Sequence, residues 1–291
     1  MSVCSIGARC HVGGKGITTF GRKFTQAKAL ELASSCVLII DVGASPPLQV
    51  ASGVLIAPNV VLCANHSLSG ATANLQGQLF FECDAKTAPG LPPPRPPPPC
   101  TLLSTAPQMK FGNVLETGSS FGLDYALVAI SWLSSTVTFP RQVTLPKPDY
   151  YYGGELLGIG HPVSSYKAEP TQATAGNVIA GAAQGPHHDP VSPAEADAKE
   201  YTYTNISFTD GMSGGGVFNE NGRLVGIIEG MRKFGKENSF LNIGLVASKT
   251  VSSGGATKPV SDRLKQWMGG GLPLLSSDPP APSGVTFTPP L

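Results

Sequence analysis

The 291-residue chain carries a net charge of +1, with 41% hydrophobic and only 13% charged residues. Scattered Lys and Arg at near-neutral charge exclude a basic stripe for nucleic acid or a polybasic face for anionic lipid, and the apolar fraction excludes wholesale disorder. The 35 glycines and 27 prolines favour a turn-rich all-β protein over a helical one.

Residues 1–24 are glycine-rich, basic and without periodicity, and read as a flexible leader. They hold no uninterrupted apolar segment of the kind a signal peptide needs, so the expected location is cytoplasmic. The strongest apolar run, Cys36 to Ile40, is strand-length and too short to span a bilayer. The segment from Thr25 to Ser34 is helix-compatible, with Ala27, Leu30 and Ala33 on one face. Strand-like runs follow: CVLIIDV from Cys36, QVASGVLIA from Gln49, NVVLCA from Asn59 and LFFEC from Leu79, with Pro46-Pro47 and Pro58-Asn59 as turns.

Between Thr87 and Pro107 the chain runs through LPPPRPPPP, which cannot enter a sheet because proline lacks the ladder N–H. It reads as an exposed polyproline loop between two strands, and Pro92 to Pro99 is also the segment a polyproline-binding partner would take. Strands resume at Tyr125 (YALVAI), Glu155 (ELLGIG), Thr174 (TAGNVIAG), Tyr201 (YTYTNI), Arg223 (RLVGIIE) and Leu241 (LNIGLVA). Gly185 to Ala198 is a polar loop, and Asn219-Glu220-Asn221-Gly222 is a hairpin signal, since Asn and Gly tolerate positive φ. Residues 259–268 form a short amphipathic helix with Val260, Leu264 and Trp267 on one side, and 271–291 is a proline-rich tail. Many short strands with one terminal helix indicate a sandwich or barrel.

Six cysteines at 4, 10, 36, 63, 83 and 100 show no C-x-x-C spacing, and fit buried or free thiols better than a disulfide framework. Sequons begin at Asn65 and Asn205, and a glycan on Asn65 would obstruct its neighbour His66. His187-His188-Asp189 lacks a further ligand at zinc spacing, so no metal or other cofactor is expected.

Chemistry concentrates in Asp210-Gly211-Met212-Ser213-Gly214-Gly215-Gly216. A serine hydroxyl becomes nucleophilic when a base takes its proton and N–H donors receive the oxyanion. Flanking glycines let the backbone turn so that its N–H groups point at one spot, although an ordinary exposed turn uses the same residues. Two further elements favour chemistry: His66 follows the apolar strand VVLCAN, and Asp124 precedes the strand YALVAI. Base and acid at the edges of rigid strands can converge on a serine distant in sequence.

These three segments, in the order His, Asp, Ser, resemble the motifs of trypsin-like peptidases. The cysteine-poor serine half, GVFNENGRLVGI after Ser213 and Gly158-Ile159-Gly160-His161-Pro162 resemble the HtrA- and V8-like bacterial branch. The resemblance implies an all-β fold of two six-stranded antiparallel Greek-key barrels with the active site in the cleft between them and a short C-terminal helix. It places a peptidase domain at 25–270, with barrels over about 36–145 and about 150–250. The interval from His66 to Asp124 is long for the family, and the proline insertion accounts for the excess.

The same resemblance implies a serine endopeptidase acting on protein or peptide substrates, the alternative being an inactive homologue that binds protein. His66 would be the base, Asp124 its orienting acid, Ser213 the nucleophile, and the N–H groups of Gly211 and Ser213 the oxyanion hole. Ser207 would floor the specificity pocket, with Glu229, Gly230 and Met231 as its wall. A neutral Ser207 disfavours basic specificity. Met212 stands where digestive relatives carry aspartate, which removes their activation salt bridge and implies no zymogen switch of that type.

Overall fold

The computed structural model describes residues 2–4, 6–13, 17–69, 71, 74–83, 100–102, 106–133, 143, 145, 154–164, 167–168, 171–182, 200–231 and 238–268. In chain order the N-terminal part holds β1 (Ser2–Cys4), β2 (Arg9–His11), β3 (Ile17–Phe20), β4 (Phe24–Thr25) and α1 (Gln26–Ala33). Then come β5 (Cys36–Asp41), β6 (Leu48–Ala57), β7 (Val60–Cys63), β8 (Leu75–Leu79), β9 (Phe81–Cys83), β10 (Cys100–Leu102), β11 (Met109–Thr117) and β12 (Ala126–Trp132). The second half holds β13 (Glu155–Gly160), β14 (Val163–Ser164), β15 (Lys167–Ala168), β16 (Gln172–Ala182), β17 (Tyr201–Thr204), β18 (Gly216–Asn219), β19 (Leu224–Met231) and β20 (Asn238–Asn242). It ends with α2 (Ile243–Ser248), β21 (Thr250–Ser253), β22 (Ala256–Pro259) and α3 (Asp262–Met268).

Two antiparallel rings result. β11, β12, β7, β6, β5 and β8 close the first barrel, with β8 returning beside β5. β13, β18, β19, β20, β17 and β16 form the second, closed because β13 pairs with both β18 and β16. Closure removes the unpaired edges that would otherwise invite association.

The strands read as continuous apolar runs because both of their faces are buried. Along β7, Val61 and Cys63 point into the first barrel, while Val60 and Leu62 join a cluster outside it. Along β13, Leu156 enters the second barrel and Leu157 and Ile159 face that same cluster. The cluster draws in Phe20, Phe24, Leu32, Tyr125, Leu127, Tyr201, Ile227, Ile243 and Leu264, so the broadest apolar packing lies between the barrels and beneath the helices. That packing fixes the barrels against each other.

Several sequence expectations need correction. The described part of 1–24 is no loose leader. β2 adds to the second barrel beside β16, and Val12, Phe20 and Phe24 are buried. The carboxylate of buried Glu155 accepts the N–H groups of Arg22 and Lys23 at 2.8 and 2.9 Å. The run from Leu241 is not one strand. Asn242 ends β20 and caps α2, its side chain accepting the Leu245 N–H at 3.1 Å. α1 forms where expected, capped by Thr25, but it buries Ala29, Leu32 and Ala33 rather than the face through Ala27. LFFEC supplies only the end of β8 and then the separate β9, which pairs with β10 across the proline run.

Cys36 and Cys63 are buried free thiols as expected, whereas Cys10 is disulfide-bonded, so the free-thiol reading fails there. α3 starts at Asp262, and Val260 and Leu264 are buried, while the Trp267 side chain lies outside the described set. The proline run at 92–99, the loop from Gly185 to Ala198 with His187, His188 and Asp189, and the tail 271–291 also lie outside the described residues. Among the described residues no helix is long and apolar enough to cross a membrane.

Candidate active site

His66 opens a 3-10 turn directly after β7, so the strand register sets where its ring begins. The turn closes through Leu68 N–H to the Asn65 carbonyl at 3.0 Å, and Ser69 donates its N–H and its hydroxyl to the His66 carbonyl. The Thr117 hydroxyl donates to Asn65 Oδ1 at 3.1 Å, tying this turn to β11.

Asp124 sits on the compact turn between β11 and β12. The Gly118 N–H donates to the Tyr125 carbonyl and the Leu123 N–H to the Gly118 carbonyl, with Gly122 at φ +69 inside the turn. A Cβ on Gly118 would strike the Leu123 carbonyl and the Tyr125 ring, so glycine is required for this closure. Asp124 is 7% exposed; one carboxylate oxygen accepts the His66 N–H at 2.7 Å and the other pairs with His66 Nδ1. A buried carboxylate holding Nδ1 selects the tautomer that leaves Nε2 as acceptor.

Two polar contacts brace the acid from behind. The Asp124 N–H donates to the Tyr201 hydroxyl at 2.9 Å, a bond from the first barrel to the second. Next to it, the Tyr125 hydroxyl donates to Glu116, which also accepts from Ser261 at the start of α3. Burial and the Glu116 charge push the Tyr125 phenol up, so it stays neutral.

Ser213 lies on the glycine-flanked turn before β18, with Gly211 at φ +84 and Gly214 at φ +82. A Cβ at Gly214 would meet Ala64 N at 2.8 Å and collide with the Ser52 carbonyl. The turn therefore lies against the end of β7, just before His66, and glycine is what permits it. The Ser213 hydroxyl donates to the Glu229 carbonyl at 3.1 Å. In unliganded sites such hydroxyls commonly adopt alternative partners.

The N–H groups along this turn divide cleanly. Met212 donates to Thr209, Gly214 to Ile228 and Gly215 to Met212, at 3.1, 2.7 and 2.9 Å. Among the described residues the N–H groups of Gly211 and Ser213 have no protein acceptor. Their peptide planes are fixed from the carbonyl side, because Asp210 accepts from Val163 N–H at 2.9 Å and Met212 from Gly215. A trans peptide points N–H opposite to C=O, so both free donors turn away from these anchors. Met212 is buried in the second barrel among Leu156, Ile206, Phe208 and Val217, an apolar anchor directly before Ser213.

The proposed pocket residues fall on two segments of the second barrel, Ser207 after β17 and Glu229, Gly230 and Met231 at the end of β19. Ser207 lies between buried Ile206 and Phe208, its carbonyl accepting from Thr174 at 3.2 Å. The Glu229 carboxylate is 4% exposed and accepts from the Ser239 hydroxyl at 2.8 Å, so it faces β20 and adds no exposed charge to a pocket wall. Gly230 pairs with Ser239 and Met231 with Asn238. Burial, reinforced by Asp124, pushes the Cys63 thiol up, which leaves it inert beside the histidine turn. No described group of His, Cys, Asp and Glu is arranged to hold a metal.

Ser52 and Tyr201, whose side chains bond to the backbone at Gly211 and Asp124, are not singled out by sequence. Their one sequence signal is a polar group inside an apolar strand, which when buried must find a partner.

A trypsin-like peptidase domain model matches residues 51–227. Among solved structures, the active form of the Rv3671c protease from M. tuberculosis aligns with a TM-score of 0.53 at 18% identity, covering 76% of this chain and 81% of that one. A Glu endopeptidase in complex with MPD aligns with a TM-score of 0.51 at 15% identity, over 82% of this chain and 92% of that one. At such identities the likeness speaks for the two-barrel fold alone. A comparison with curated proteins finds no match. The family model spans most of both barrels and all three motif segments, and the chain belongs to the trypsin-like peptidase family.

Proposed function

We propose that the protein is a serine endopeptidase that hydrolyses peptide bonds through an acyl-enzyme on Ser213. The observation that carries this reading is the His66–Asp124 pair beside a serine turn with two unused N–H donors. His66 takes the proton of Ser213 as the hydroxyl oxygen attacks the scissile carbonyl, then gives it to the leaving amine. Asp124 holds the imidazole and stabilises its protonated form. The Gly211 and Ser213 N–H groups receive the charge that develops on the substrate oxygen, a contribution of about 10²–10³ in rate per donor. Water then hydrolyses the ester by the same route in reverse.

An inactive, protein-binding homologue is the second reading, favoured by the Ser213 hydroxyl donating to the Glu229 carbonyl. Catalysis needs that hydroxyl to rotate toward His66. A fluorophosphonate–rhodamine probe separates the two. The peptidase reading expects covalent labelling of the wild type, none of Ser213→Ala and little of His66→Ala. An unlabelled, folded wild-type protein would leave the binding role.

A further inference from the structure

Ser52 lies on β6 in the first barrel, is fully buried, and makes three bonds to the second half of the molecule. Its N–H donates to the Ser213 carbonyl at 2.8 Å. Its hydroxyl donates to the Gly211 carbonyl at 2.8 Å and accepts the His161 N–H, also at 2.8 Å. The last bond fixes the segment His161-Pro162-Val163, and Val163 N–H in turn holds the Asp210 carbonyl.

One hydroxyl thus governs the peptide planes on both sides of Gly211. The plane after Gly211 is held directly, through its carbonyl. The plane before it, which carries the Gly211 N–H, is held through His161 and Val163. Glycine has little intrinsic preference for one orientation, so without these anchors the 210–211 peptide is free to turn its N–H away from the substrate. A buried serine satisfied by one neighbouring carbonyl would be ordinary. A serine whose donor bond ends on Gly211, and whose acceptor bond holds the segment that in turn anchors Asp210, is not explained by barrel packing.

We propose that Ser52 is a positioning residue that aims the Gly211 N–H from across the barrel seam. The inference rests on the peptidase reading of Ser213, and it concerns the transition state only. Phosphonylation by a fluorophosphonate develops negative charge on the phosphoryl oxygen as the Ser213 oxygen attacks phosphorus and fluoride leaves. It therefore reports on the same donors.

The test measures kinact and KI for fluorophosphonate–rhodamine with wild type, Ser52→Ala and Ser52→Cys, the last keeping volume with a much weaker donor. In Ser52→Ala, kinact is expected to fall by about 10- to 100-fold, with KI within about twofold of wild type because the lost interaction is specific to the transition state. The cysteine variant is expected to fall between, and the pH midpoint of labelling stays put because the His66–Asp124 pair is untouched. If alanine abolishes folding, as a thermal melt would reveal, the cysteine variant carries the comparison alone. Wild-type kinact in the folded variants, or a loss expressed only in KI, would overturn the assignment of Ser52 while leaving the peptidase reading intact. A wild type that does not label, or a Ser213→Ala that does, removes both.

Discussion

His161 shows how a single side chain takes on a stability role that its chemistry alone does not announce. It is fully buried, its ring lies 4.7 Å from that of Phe80, and Nδ1 is 3.4 Å from the Thr171 hydroxyl. Among the described residues Nε2 has no hydrogen-bond partner. Burial pulls its pKa down from 6.5 to about 4, partly offset by the nearby Cys36 backbone. The neighbouring Cys36 thiol, pushed up to about 12 by burial, stays neutral throughout this range. Below pH 6.5 the unfolded chain takes up a proton that the folded chain refuses until about pH 4. Stability therefore rises with pH across that window, and about 3 kcal/mol is lost on acidification through it. Urea midpoints measured from pH 4 to 7 should show this slope, and His161→Phe should flatten it. An unchanged slope in that variant would assign the acid sensitivity to other groups. At this scale the sequence was partly legible. His66 and Asp124 stand out by their place at strand ends, whereas Ser52 acquires meaning only when its bond partners in the other barrel, Gly211 and His161, are known.

At the scale of elements, the strands were easier to read than their ends. Runs such as VVLC and ELLGIG are buried on both faces, which gives a strong apolar signal but no alternation to say which side is the barrel interior. The LNIGLVA segment misleads for the same reason, since an apolar strand and a short buried helix look alike until Asn242 is recognised as a cap. Among the N-terminal strands β2 is illegible because its partner, β16, lies far along the chain. Cross-barrel bonds of this kind hold the acid as well. Tyr201 on β17 is 1% exposed and its hydroxyl accepts the Asp124 N–H. Tyr201→Phe leaves that N–H without its acceptor in a buried site, at a cost of about 1–3 kcal/mol. A denaturant titration should show a lower midpoint with an unchanged slope, together with slower fluorophosphonate labelling as Asp124 loses its brace. Unchanged stability would mean that the phenol is a spectator.

At the scale of the whole molecule, the site depends on two closed barrels being held in one relative position, and the means of holding them bears on regulation. In this chain the serine turn is anchored by Met212, inserted among Leu156, Ile206, Phe208 and Val217, rather than by an acid waiting for a new cationic terminus. The segment before α1 is already committed elsewhere. Phe20 and Phe24 fill the cluster between the barrels, and Glu155 clamps the backbone at Arg22 and Lys23. Apolar anchoring is established on folding and needs no cleavage, since burial of Met212 and the aromatic side chains is itself part of the folding free energy. The 291-residue chain, purified without proteolytic treatment, is therefore expected to label with fluorophosphonate at its maximal rate. Limited digestion ahead of α1 should leave that rate the same or lower it, because removing Phe20 and Phe24 opens cavities in the packing that sets the barrels, at about 3–5 kcal/mol for each large side chain lost. A labelling rate that climbs after such cleavage would show that the N-terminal strands restrain the site, and that the Met212 anchor does not by itself set the turn.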